Sequence, residues 1–156
     1  MKKILSIVAL LAAALTQTGF AQNTKVQTSP VLSLYYNITN ALVSGNALLA
    51  AAKAEELKKS LSGAPDNAPP VAIRVLLTKE ATRIAGTKDI KVQRAAFADL
   101  STLMISTAKT EKLSSEPVYR VYCPMKKSYW LSSEKVVKNP YYGSSMLSCG
   151  KVEATL

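Results

Sequence analysis

Histidine is absent from this 156-residue chain. Its absence removes the usual general base near neutral pH and the usual imidazole metal ligand. Ser-His-Asp and Cys-His catalysis, c-type haem attachment and the common zinc sites are excluded with it. Cysteine is scarce: Cys123 and Cys149 are the two in the chain, too far apart for a Cys-x-x-Cys redox motif. There is no Gly-x-Gly-x-x-Gly and no phosphate-binding loop. Acidic side chains number 10 against 20 basic ones, an excess that favours anionic surfaces. The basic residues are scattered, however (Lys53, Lys58, Lys59, Arg74, Lys79, Arg83, Lys88, Lys91, Arg94), and they build neither a dense run nor a nucleic-acid motif. They read as solvated helix faces. Catalysis and nucleic-acid binding are therefore not expected.

The N-terminus has the layout of a secretory signal peptide. Met1-Lys2-Lys3 is basic, Ile4 to Leu15 is apolar, and Gly19-Phe20-Ala21 is a small-x-small site. The apolar run falls short of the ~20 residues that span a bilayer, and no cysteine follows it for lipid attachment. The expectation is cleavage after Ala21, so that residues 1–21 are the signal, and a soluble periplasmic chain from Gln22 to Leu156 with no stable membrane insertion. Without Lys2 and Lys3 the mature excess of positive charge is +8.

The next segment, to residue 116, reads as helices. Ser29 is a good N-cap and Pro30 suits a first turn. Val31, Leu34, Tyr35, Ile38, Ala41 and Leu42 then recur at helical spacing until Ser44-Gly45. Asn46 caps a second helix, Ala47 to about Leu61, made of strong helix formers. The short joint predicts that these two lie antiparallel. Past the loop from Ala64 to Pro70, a third helix runs to Ala85, with Ile73, Leu76, Leu77 and Ile84 marking its buried side and Gly86 its stop. Asp89 caps a fourth, whose stripe is Ile90, Gln93, Arg94, Phe97, Leu100, Ser101, Met104 and Ile105. Arg94 is expected to snorkel or to pair with a carboxylate or a carbonyl, and Met104 to fill core. The fold expected is mainly α: an up-down four-helix bundle, or three helices if the second packs only in part.

Residues 117–156 change character and predict a small irregular cap on that bundle. Six of the chain's ten aromatics lie between Tyr119 and Tyr142. Tyr119 to Tyr122, Trp130-Leu131, Val136-Val137 and Lys151 to Thr155 are strand-like, and proline and glycine break up the rest. Both cysteines and two of the four methionines are here too, as Cys123-Pro124-Met125 and Met146-Leu147-Ser148-Cys149. Thiolates and thioethers are soft donors that select Cu(I)-like ions. Cys123 and Met125 are two apart across a proline turn, and Met146 and Cys149 are three apart, so each pair is able to aim at one point. The same cysteines in an oxidising compartment would instead form a structural disulfide, closing a loop of about 27 residues worth roughly 3–4 kcal/mol. Both readings stay open on the residues alone.

The ordered motifs resemble a bacterial family filed as domain of unknown function 3347. They are Cys123-Pro124-Met125, Tyr129-Trp130-Leu131-Ser132, Asn139-Pro140-Tyr141-Tyr142-Gly143, Met146-Leu147-x-Cys149-Gly150, the upstream Asp89-Ile90-x-x-Gln93-Arg94-x-x-Phe97, and the helix from Tyr36 to Leu49. That family is exported, occurring alone or as a C-terminal module on periplasmic subunits of heavy-metal efflux systems. The resemblance implies copper or silver handling and an efflux subunit as partner. One departure is that the family's histidine before Cys-Pro-Met is Tyr122 here, and the segment from Met125 to Trp130 is shorter. The expected ligands of Cu(I) or Ag(I) are thus Cys123, Met125, Met146 and Cys149, with Trp130, Tyr141 and Tyr142 walling a dry pocket. The alternative is a non-catalytic structural or interaction domain held by a Cys123–Cys149 disulfide.

Overall fold

The computed structural model describes residues 28–63 and 69–156; the expected signal segment and its cleavage site lie outside them. Four helices follow one another, α1 (Pro30–Val43), α2 (Ala47–Ser62), α3 (Val71–Ala85) and α4 (Ile90–Thr110), each packed on the next. A three-stranded antiparallel sheet follows, built from β1 (Tyr119–Cys123), β2 (Ser128–Ser132) and β3 (Lys151–Thr155) in the order β2-β1-β3. Among the described residues no helix is long and apolar enough to cross a membrane.

The helix boundaries follow from local chemistry. Ser29 Oγ accepts the Leu32 N–H, Asn46 Oδ1 the Leu49 N–H, and Asp89 Oδ1 the Lys91 N–H, so three helices start on side-chain caps. Proline at the start of α1 sacrifices an N–H that no helical carbonyl would accept. The α4 stripe is buried as its period requires: Gln93, Phe97, Leu100, Ser101, Met104 and Ile105 all face inward. The buried amide of Gln93 donates to three carbonyls, Ala47, Ile84 and Thr87, and so ties α4 to the starts or ends of its neighbours.

Two expectations are corrected. The inner face of α3 is Leu77, Glu80, Ala81 and Ile84, whereas Leu76 is exposed. Val71, Val75 and Leu76 make α3 apolar on its outer side as well, so hydrophobicity alone does not orient it. Glu80 is tolerated inside because Arg83, one turn on, pairs with it and with Asp99 at 2.7 Å. Val136-Val137 form no strand; Val136 is exposed, in a bend that has no partner strand to pair with.

The cap shares one hydrophobic cluster with the bundle. It sits where α1 and α4 meet. The buried Tyr35 hydroxyl of α1 shares a 2.7 Å hydrogen bond with Ser101 Oγ of α4 and accepts the Leu131 N–H of β2 at 3.1 Å. Burial pushes that phenol's pKa far above its ordinary value, so it stays a neutral donor. Phe97 stacks on Tyr35, with Tyr141 tilted against Phe97 and Trp130 edge-on to Tyr141. Arg94 carries the joint further: Nε donates to the Pro140 carbonyl at 3.0 Å and Nη2 to the Leu42 carbonyl at 2.9 Å. Gly143 makes room for it. Its φ is +58°, and a Cβ there would stand 2.6 Å from Arg94 Nη2 and 2.9 Å from the Val43 carbonyl oxygen.

Candidate metal centre

Strand alternation aims Cys123. In β1 the two-residue period puts Val121 and Cys123 on the inward face, and both are buried. The β1–β2 turn, Pro124 to Lys127, then carries Met125 outward, where it is 60% exposed. Lys127 closes this turn with a positive φ of 54°.

The second thiol arrives from the far end of the cap. A 3-10 turn, Gly143–Met146, leads into Leu147, whose carbonyl accepts the Asn139 N–H at 2.8 Å. The Cys149 N–H then donates to the Met146 carbonyl at 3.1 Å. Gly150, at φ +154°, lets the chain cross close over Trp130; a Cβ there would lie 2.7 Å from the indole. The outcome is a pair of free thiols with Sγ atoms 3.9 Å apart. Burial raises the pKa of Cys149, and the neighbouring Cys123 thiol raises it further. The Met125 backbone pulls it partly back down.

Asn139 is the residue that the sequence treated as mere turn and the fold makes central. It is fully buried. Its Nδ2 donates to Cys123 Sγ at 3.2 Å and to the Cys149 carbonyl at 2.6 Å. Its Oδ1 accepts the N–H groups of Tyr141 at 2.8 Å and Tyr142 at 3.3 Å. One amide thereby clamps both cysteine segments and orients the tyrosine pair. The signal was the Asn-Pro dipeptide, since asparagine side chains commonly bond the backbone two residues on.

Of the four expected ligands, the fold brings Cys123 and Cys149 side by side and puts Met125 and Met146 in the turns that carry them. The thioethers themselves face solvent, Met146 being 40% exposed. The aromatic wall is present in part: Trp130 and Tyr141 are buried, Tyr142 half-buried, and the Tyr141 hydroxyl donates to the Tyr129 carbonyl. Among the described residues no group of three or more His, Cys, Asp and Glu side chains is gathered to hold a metal. An ion here would rest on two thiolates completed by thioethers. At about 2.3 Å from each sulfur, it would subtend an S–metal–S angle of about 116° across the 3.9 Å gap. That lies between trigonal and tetrahedral and leaves one or two positions for Met125 and Met146. Methionine's unbranched, rotatable chain suits it to swing in from solvent.

No curated protein and no solved structure matches this chain. A family described as "protein of unknown function (DUF3347)" matches it over residues 31–116. That stretch runs from α1 through the end of α4 and stops short of β1, so the thiol pair lies beyond it and the motifs of the cap stand on their own geometry. Matched over more than half its length, and along all four helices, the chain belongs to the DUF3347 family.

Proposed function

We propose that this chain is a periplasmic module that binds a soft monovalent ion, Cu(I) or Ag(I), to sequester it or pass it to a heavy-metal efflux subunit. The observation that carries the reading is the pair of free thiols 3.9 Å apart, with a methionine in each of the two segments that bring them together. In a chain without histidine, the paired thiols and nearby thioethers supply a soft donor set, and such a set is selective for soft ions. Export rests on the basic-apolar-small pattern of the first 21 residues. The mature charge of +8 opposes cation approach, so affinity has to come from the thiolates.

The same proximity favours a second reading. A disulfide needs sulfurs about 2.05 Å apart, and the two free thiols stand 3.9 Å apart. The protein would then be a non-catalytic structural or interaction domain whose cap is stapled by Cys123–Cys149. The intact mass of the native exported protein separates the two, because a disulfide removes two hydrogens. Cu(I) titration of the reduced protein against a competing chelator tests the metal reading. Cys123→Ser and Cys149→Ser are expected to abolish high-affinity binding, and Met125→Ala and Met146→Ala to weaken it. Retention of copper by the double cysteine variant overturns the reading. Unchanged affinity in both methionine variants removes the thioethers from the site.

A further inference from the structure

A second cluster of chemistry lies beside the thiols; it shares Tyr141 and Tyr142 with the aromatic wall of the metal reading, but its charged members take no part in that reading. Lys91, Arg94, Lys126, Tyr141 and Tyr142 line an open pocket of about 270 Å³. Three of the five carry positive charge, and no carboxylate is in the wall. Arg94 is the unusual member. It is half-buried on α4, and its Nε and Nη2 are held by the Pro140 and Leu42 carbonyls. Those neutral partners orient the guanidinium without balancing its charge. Among the described residues it has no ion pair, in contrast to Arg83, which has two carboxylates. Burial draws its pKa down with no opposing acid. Lys91 stands one turn earlier on the same helix, and Lys126 comes from the β1–β2 turn, so two separate elements add like charge around one concavity.

We propose that this pocket binds a phosphomonoester or inorganic phosphate. Three like charges around a small hollow repel one another, and an anion seated among them relieves that repulsion. A dianion matches three cations better than a carboxylate does. The guanidinium N–H groups that the two carbonyls do not take, together with two mobile ammonium groups, suit tetrahedral phosphate oxygens. The tyrosine rings give the organic part of an ester an apolar wall. A single small group, rather than a polymer backbone, fits the size of the pocket and the absence of a basic run.

Hydrogen bonds link the pocket's lining residues to the thiol pair. The Lys126 N–H donates to Cys123 Sγ at 3.4 Å, and Asn139 holds both tyrosine N–H groups as well as Cys123. None of the five lining residues is a proposed metal ligand, so the phosphate site stands whether or not the thiols take metal.

The test uses reduced, copper-free protein at constant ionic strength. Backbone amide NMR shifts are followed during titration with inorganic phosphate, glycerol 3-phosphate, acetate and sodium chloride. Binding to vesicles containing phosphatidic acid is compared with binding to phosphatidylcholine vesicles. Lys91→Gln and Lys126→Gln change exposed side chains and keep the fold, and each is expected to weaken binding about tenfold. Saturable phosphate shifts around Lys126 and Tyr142 that both variants weaken support the site and assign it to small phosphates. Lysine-dependent binding to the phosphatidic acid vesicles alone supports the same chemistry and assigns a lipid source. Equal shifts with chloride, tighter binding of acetate, wild-type titration by both variants, or no saturable binding in any arm overturns it.

Discussion

Replacing Asn139 by alanine tests how the thiol pair is held. Four hydrogen bonds disappear together, two donated by Nδ2 and two accepted by Oδ1. The Tyr141 N–H bond lies in the interior and the Cys149 carbonyl is partly covered, so water does not fully replace what is lost. A neutral hydrogen bond contributes about 1 kcal/mol net, while a stranded buried group costs about 1–3 kcal/mol. The sulfur acceptor is weak and the Tyr142 bond long, so those two count for little. The sum is about 3 kcal/mol, a large fraction of the roughly 5–15 kcal/mol that holds an ordinary domain together. Urea denaturation should show a lower midpoint at unchanged slope, because cap and bundle share one hydrophobic cluster. Asn139→Asp separates the two halves of the amide. It keeps an acceptor for the tyrosine N–H groups but sets a carboxylate against the Cys149 carbonyl and the Cys123 sulfur. It should be about as destabilising and should slow alkylation of the thiol pair, since a fixed negative charge disfavours thiolate. A cost below about 1 kcal/mol for Asn139→Ala, with unchanged alkylation rates, refutes the clamp.

Other perturbations give separable outcomes. Tyr35→Phe removes the hydroxyl that joins Ser101 to the Leu131 N–H, and should cost about 1–3 kcal/mol in the same denaturation experiment. Gly143→Ala forces a side chain into a left-handed position and against Arg94 and the Val43 carbonyl, and should cost about 2 kcal/mol or more. Trp130→Ala leaves a void at the centre of the cap and should cost roughly 3–5 kcal/mol. Cys149 has its pKa raised by burial and by its thiol neighbour. Its alkylation rate should therefore rise with an apparent pKa above the ~8.5 of a free cysteine. The sign for stability follows: the folded state holds this proton longer than the unfolded chain, so the contribution is full below about pH 8.5 and is lost as pH rises through the folded value. A midpoint that rises with pH above 8.5 contradicts that sign.

The helical part of the fold was legible because its punctuation is local. Ser29, Asn46 and Asp89 cap within three residues, and Gly45, Gly63 and Gly86 sit at the ends. The α4 stripe was legible because it lasts long enough for one face to separate from the other. On α3 the pattern was ambiguous. Apolar side chains lie on both sides, and the choice of inner face depends on packing against α2 and α4 and on Arg83 reaching Asp99 of α4 as well as Glu80, which no short window of sequence contains. Val136-Val137 has strand composition without a strand to pair with. Convergence of Cys123 and Cys149 is assumed in both the metal and the disulfide reading. How they meet was not legible, because it needs the close passage of Gly150 over Trp130 and one buried asparagine bridging segments 10 to 16 residues away. Side-chain roles of that kind are set by tertiary placement.

The most direct test of the sulfur site is X-ray absorption at the metal edge of reduced protein loaded with one equivalent of Cu(I). A first shell of sulfur alone at about 2.3 Å, losing part of its amplitude in the Met125→Ala, Met146→Ala double variant, is the expected spectrum. A shell of nitrogen or oxygen, or copper that washes off the reduced protein, contradicts the proposal that these four side chains close on one ion.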